Sequence, residues 1–113
     1  MSDSDLNILL TEKGIHPLES ARIPYRERGF LLGDGIFETV RIIDGRAPLL
    51  EKHLARLERS ALELKLMDES LIDRVKNVVT SALEKCRSMK DGYMRITVTG
   101  GIRTRPGLGK RNK

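Results

Sequence analysis

The period of the apolar positions changes along this chain, and each change marks an element. Leu6 to Thr11 is a short apolar run, broken at Glu12-Lys13-Gly14 and resumed at Ile15. That pattern predicts a strand, a turn and a second short strand. His16-Pro17 confines the second piece to an edge or a loop, because proline has no N–H for a ladder. After the polar segment "SARIPYRERG", Ile36 to Ile43 is rich in β-branched residues and carries Phe37, the composition of a strand. Asp44-Gly45 follows with the residues a type I′ hairpin turn requires, which predicts a short return strand around Ala47 to Leu49.

The period then becomes helical. Leu50, Leu54, Leu57, Ala61 and Leu64 recur at spacings of 4, 3, 4 and 3 and form one stripe. In "MDES", Asp68 or Ser70 can cap a second helix, whose stripe is Leu71, Ile72, Val75, Val78, Val79, Ala82, Leu83 and Cys86. Asp91-Gly92 is expected to break that helix, and "YMRITVT" alternates as a final strand. Strands, two helices and a strand predict an α+β domain, an antiparallel-rich sheet covered on one face by both helices. Residues 1–102 are expected to form this small domain, with 103–113 a basic tail or interdomain linker.

Alternation in the strands sorts their chemistry. Phe37, Thr39, Arg41 and Ile43 share one face, and Ile36, Glu38, Val40 and Ile42 share the other. In the last strand Tyr93, Arg95, Thr97 and Thr99 lie opposite Met94, Ile96 and Val98. The apolar row should face the helices. If the two strands share a sheet, Phe37, Arg41, Tyr93 and Arg95 form a cationic and aromatic surface suited to an anionic ligand. An ordinary half-solvated sheet face accounts for the same spacing.

Composition narrows the function classes. The chain has 113 residues, 39% hydrophobic and 33% charged, as expected for one globular domain. No apolar run approaches the roughly 20 residues of a bilayer span, and "MSDSD" is no signal peptide, so a cytoplasmic protein without membrane contact is expected. The formal net charge of +5 resides in the tail, where Arg103, Arg105, Lys110, Arg111 and Lys113 occur without an acid. The remaining chain balances its 16 acidic residues. With no aromatic interleaving and no groove-reading motif, nucleic acid is not an expected partner. Cys86 is the single cysteine, its spacing from Val79 and Leu83 that of a core thiol. His16 and His53 lack metal-ligand spacing, so no metal site is expected. Gly33-Asp34-Gly35 lacks the Lys-Ser/Thr ending of a nucleotide cradle.

The ordered string "RGFLLGDGIFETVRIIDGRAPLLEKHLARLERSA" resembles the N-terminal segment of the class IV (fold type IV) pyridoxal-phosphate enzymes. That family includes branched-chain aminotransferases, D-amino-acid aminotransferases and 4-amino-4-deoxychorismate lyase. The resemblance runs from about Leu6 to about Gly101, through "YMRITVTGG". Arg-Gly, Gly-Asp-Gly, a Phe-Glu-Thr strand, a turn and a His-Leu-x-Arg-Leu helix occur in the family order.

The resemblance implies pyridoxal phosphate as cofactor and Arg56 of "EKHLARLERS" as the residue gripping its phosphate, a task for which the planar guanidinium fork is suited. It places Phe37, Arg41 and Arg95 on the substrate side; Glu38 also fits the motif, but alternation sends it to the other face, so a structural role is expected for it. It implies an amino acid, branched-chain or D-, and a 2-oxo acid as substrates, in a homodimer. The lyase type, releasing 4-aminobenzoate and pyruvate, and a noncatalytic dimerising remnant are the alternatives. The family's Schiff-base lysine lies in a second domain, and none of Lys13, Lys52, Lys65, Lys76, Lys85, Lys90, Lys110 and Lys113 stands in its context. No catalytic residue is therefore assigned, and the chain is expected to be inactive by itself.

Overall fold

In the computed structural model, which describes residues 8–11, 13–66 and 68–101, two antiparallel strand pairs are combined with three helices. The order is β1 (Ile8–Thr11), β2 (Gly14–Pro17), a 3-10 turn (Leu18–Ser20), α1 (Arg28–Leu32), β3 (Gly35–Ile43), α2 (Leu50–Glu63), α3 (Glu69–Lys85) and β4 (Asp91–Thr99). β1 pairs with β2 in one two-stranded sheet and β3 with β4 in the other. The second pair runs in continuous register from Gly35 opposite Thr99 to Ile43 opposite Asp91. Because α2 and α3 both lie between these strands in sequence, their pairing closes the domain.

The core sits between this long pair and the helices. Val40 and Ile42 are fully buried, as period two requires once one face of β3 is covered. Val40, Ile96 and Val98 pack in one cluster with Leu57 and Ala61 of α2, Ile72 and Val79 of α3, and Leu66 between the helices. Both helices thus cover the same sheet face, as the apolar stripes predict. Asp68, rather than Ser70, caps α3, its carboxylate accepting from the Leu71 N–H at 2.9 Å.

The predicted hairpin is half present. Asp44 and Gly45 adopt φ of 52° and 72°, the left-handed pair that a type I′ turn needs. Ile43 and Arg46 then exchange N–H···O bonds of 2.8 and 3.0 Å. No return strand follows over Ala47 to Leu49. Pro48 cannot donate to a ladder, and the Leu50 N–H already bonds the Ala47 carbonyl at 3.1 Å, turning the chain into α2. The partner of β3 is β4, about fifty residues further along the chain. The turn itself docks on the α3–β4 connection through Asp44 N–H to the Lys90 carbonyl, 2.8 Å, and Gly45 N–H to the Met89 carbonyl, 2.7 Å.

Asp91-Gly92 does not end the second helix. That helix stops at Lys85, with Cys86 as its C-cap, while Asp91 and Gly92 open β4 opposite Ile43 and Ile42. The short α1 was not expected from the polar segment, since five residues are too few for a period to show. Its ends are nevertheless set locally. Glu27 accepts from the Gly29 N–H at the start, and Gly33 at φ 67° stops the helix, a left-handed position glycine occupies without strain. The basic segment 103–113 lies outside the described residues.

Candidate functional site

Glu38 is the one acidic residue in the buried row of β3, only 7% exposed between Ile36 and Val40. A carboxylate in that position requires cationic partners, because burying an unpaired charge is prohibitive. Helix α2 supplies one cation, Arg56, and one hydrogen-bonding ring, His53, three positions apart on one face of the helix. Arg56 donates from Nε to Glu38 Oε2 at 2.8 Å and from Nη2 to Oε1 at 2.7 Å. His53 Nδ1 lies 2.6 Å from Oε1. An ionised carboxylate only accepts, so the proton in this contact belongs to the imidazole nitrogen.

The electrostatics follow from these contacts. The Arg56 hydrogen bonds hold the Glu38 carboxyl below its ordinary range; burial opposes this, and His53 adds to it. Glu38 in turn raises the Arg56 guanidinium. The pairing leaves part of Arg56 open. A guanidinium carries five N–H groups in a rigid fork, and Glu38 occupies Nε and one of the two on Nη2. Both N–H groups of Nη1 and the second of Nη2 face away, on a side chain 60% exposed. This free edge is a second two-pronged donor, matched to two oxygens of a phosphate monoester.

Before β3, the glycine-rich segment is tied to the end of β4. Buried Arg28 donates from Nε to Asp34 Oδ2 at 2.7 Å, and its backbone N–H bonds the Gly101 carbonyl at 2.7 Å. The Gly100 N–H bonds the Asp34 carbonyl at 2.9 Å, and Thr99 Oγ1 donates to Glu27 at 2.6 Å. Gly33-Asp34-Gly35 therefore serves as a structural joint, with a partly buried Asp34 between two exposed glycines. Arg28 is unassigned in the sequence; its ion-pair partner Asp34 is six residues away, while its backbone partner Gly101 is brought to it only by the β3–β4 pairing.

On the opposite face of β3, Phe37 and Arg41 are exposed and meet β4. The Arg95 guanidinium stacks 3.9 Å from the Phe37 ring centroid, and Arg41 lies 5.5 Å from that of Tyr93. Arg41 also pairs with Asp91 at 2.7 Å. Stacking over Phe37 leaves the in-plane N–H groups of Arg95 available to an anion. The structure thus separates the sequence candidates. Phe37, Arg41 and Arg95 share the outer face, while Arg56 works from the helix side through Glu38. His53 is the member sequence reading missed. The available signal was a carboxylate in an otherwise apolar strand row, facing a helix that carries histidine and arginine three apart.

Among the described residues no group of three or more His, Cys, Asp or Glu is placed to hold a metal ion. Burial pushes the Cys86 thiol up, away from nucleophilic reactivity. Among the described residues no helix is long and apolar enough to cross a membrane.

The model of the family described as amino-transferase class IV matches residues 35–112. A D-alanine aminotransferase of Staphylococcus haemolyticus is 33% identical over 85 residues, covering 75% of this chain and 30% of that protein. A putative branched-chain-amino-acid aminotransferase of Methanocaldococcus jannaschii is 34% identical over 88 residues, covering 74% and 29%. Among solved structures, a PLP-bound hypothetical aminotransferase from Mycobacterium tuberculosis aligns with TM-score 0.72 at 27% identity, over 88% of this chain and 36% of that one. A 4-amino-4-deoxychorismate lyase from Pseudomonas aeruginosa aligns with TM-score 0.63 at 32% identity, over 79% and 31%. The chain spans about 30% of the length of the curated relatives it matches.

The depressed Glu38 carboxyl carries a pH signature. It binds its proton less readily folded than unfolded, so its stabilising contribution is complete above the ordinary value of 4.5 and is lost as pH falls through the lower folded value. Urea unfolding of Glu38→Gln followed from pH 7 into the acid range should show lower stability at neutral pH and a shallower loss below about pH 4.5. Parallel acid limbs for variant and wild type would show that Glu38 is not held ionised by these contacts.

Proposed function

Because this chain belongs to the amino-transferase class IV family, we propose that it supplies the phosphate-gripping part of a pyridoxal-phosphate-dependent enzyme acting on small amino acids. The parent reaction is amino-group transfer between an amino acid, branched-chain or D-, and a 2-oxo acid. The observation that carries this reading is the open Nη1/Nη2 edge of Arg56, held out by Glu38 on a side chain 60% exposed. That donor pair fits a phosphate monoester in charge and in spacing. When bound, pyridoxal phosphate supplies the electron sink that makes the amino acid's Cα–H acidic. The protein's task on this side is retention and orientation. Arg56 binds the phosphate, Glu38 holds Arg56, and His53 holds Glu38. Across the strand, the in-plane donors of Arg95, with Arg41 beside it, orient a substrate carboxylate against the Phe37 ring.

A second reading, lyase chemistry giving 4-aminobenzoate and pyruvate, is supported by the likeness to the Pseudomonas aeruginosa lyase. The outer strand face supports assembly with a second copy of the chain in a homodimer, since Phe37 and Tyr93 are 54% and 65% exposed side by side with two arginines. A remnant without catalysis would use this same face. Residues 1–102 are read as the small domain and 103–113 as a linker or tail of a cytoplasmic protein.

Equilibrium dialysis with pyridoxal phosphate tests the phosphate assignment. Arg56→Ala should weaken retention roughly ten- to a hundredfold, the worth of a charge-assisted contact. Arg59→Ala, exposed on the same helix, should leave it unchanged. Equal retention by both variants would remove Arg56 from the site.

Lys13, Lys52, Lys65, Lys76, Lys85 and Lys90 are all exposed, and a nucleophilic lysine needs a desolvated or electropositive pocket to lower its pKa. These 113 residues alone should therefore catalyse no amino transfer, and borohydride treatment with pyridoxal phosphate should label lysines diffusely. Stoichiometric labelling of a single lysine together with turnover would refute this.

Sedimentation tests the assembly. The chain should self-associate with rising concentration, and replacing Phe37 and Tyr93 by serine should reduce it. A monomer at high concentration would exclude the face as a contact.

A further inference from the structure

Glu38 holds Arg56 by one edge only, at 2.8 and 2.7 Å, and is itself held by His53 at 2.6 Å. The anchoring carboxylate is 8% exposed, while the guanidinium it holds is 60% exposed. A buried, doubly fixed acid thus fastens an otherwise solvent-swept arginine. A free arginine of this length samples many rotamers, and a ligand must halt that motion in order to bind. We propose, building on the phosphate reading of Arg56, that Glu38 is a positioning residue. It orients the guanidinium beforehand so that the Nη1/Nη2 fork meets the phosphate without reorganisation, and His53 fixes the plane of the carboxylate.

Two effects of Glu38 oppose each other. Its negative charge repels a phosphate, and its geometry prepares the fork. Charge and position separate chemically. Glu38→Asp keeps the charge but shortens the reach by one methylene, so the two-pronged grip is lost while the repulsion remains. Glu38→Gln removes the charge at nearly constant shape. If charge alone mattered, the aspartate variant would bind like wild type and the glutamine variant more tightly. If position matters, the aspartate variant binds more weakly.

The test uses the 113-residue chain and pyridoxamine 5′-phosphate, which has no aldehyde to react with lysines, with pyridoxamine as the phosphate-free control. In the wild type, the NMR signal of the Arg56 Nε–H should show slow solvent exchange before ligand and remain protected at saturation, because Glu38 keeps its edge while phosphate takes the other. Glu38→Asp should bind pyridoxamine 5′-phosphate roughly two- to tenfold more weakly, the cost of ordering one long side chain, with binding of pyridoxamine unchanged. His53→Gln should give a smaller loss in the same direction.

Release of the Arg56 Nε–H when phosphate binds would overturn the proposal and make Glu38 a competitor for the arginine; this observation needs no variant. Undiminished phosphate binding by a folded Glu38→Asp would overturn it equally. Arg56→Ala distinguishes the two levels of the account. If that variant keeps the preference for the phosphorylated compound, the phosphate reading and this inference both fall. If it loses the preference while Glu38→Asp retains it, positioning alone falls.

Discussion

A carboxylate on the core side of β3 constrains the rest of the domain. Glu38 sits in a row whose other members are apolar, where an ionised group without partners is destabilising by several kcal/mol. It is tolerable only because α2 presents His53 and Arg56 on the face that meets it. This requirement fixes more than one side chain. Rotating α2 by a single residue, about 100°, would carry both partners of Glu38 away from the strand. The azimuth of α2 is therefore set twice, by the stripe through Leu57 and Ala61 and by this polar contact beside it.

The same strand separates two kinds of chemistry by alternation. Its inward row carries Glu38 and the fully buried Val40 and Ile42; its outward row carries Phe37 and Arg41. β4 completes both faces at once, adding Ile96 and Val98 to the core and Tyr93 and Arg95 to the exposed surface. A one-residue slip in their pairing would exchange the faces, burying Arg95 and exposing Ile96. The joint at Arg28, Asp34 and Gly100-Gly101 ties the ends of both strands and guards that register.

Much of this was legible in the sequence because it depends on local period. The stripes from Leu50 to Ala61 and Leu71 to Cys86, and the alternation of Ile36–Ile43 and Tyr93–Thr99, specify two helices on one face of a strand pair; Leu64, the last member of the first stripe, is instead the exposed C-cap of α2. The Asp44-Gly45 turn was legible too, through its left-handed φ values. What followed the turn was not, because Pro48 and the distant β4 decide it. Helix α1 is too short to leave a period, and its caps, Glu27 and Gly33, lie in a segment that reads as loop. At the candidate site, Arg56 stood out through a family resemblance. Its partnership with Glu38 and His53 joins residues fifteen and eighteen positions apart and becomes visible only when helix and strand are packed.

Glu38 and Arg56 act as a unit, and a double-mutant cycle on unfolding free energy tests this directly. Glu38→Gln, Arg56→Gln and the double variant would be compared with wild type at neutral pH and low salt. Either single change leaves its partner unmatched, so the double variant should lose clearly less stability than the two single losses combined. Strictly additive losses would contradict the account, because they would mean that the carboxylate and the guanidinium do not hold one another.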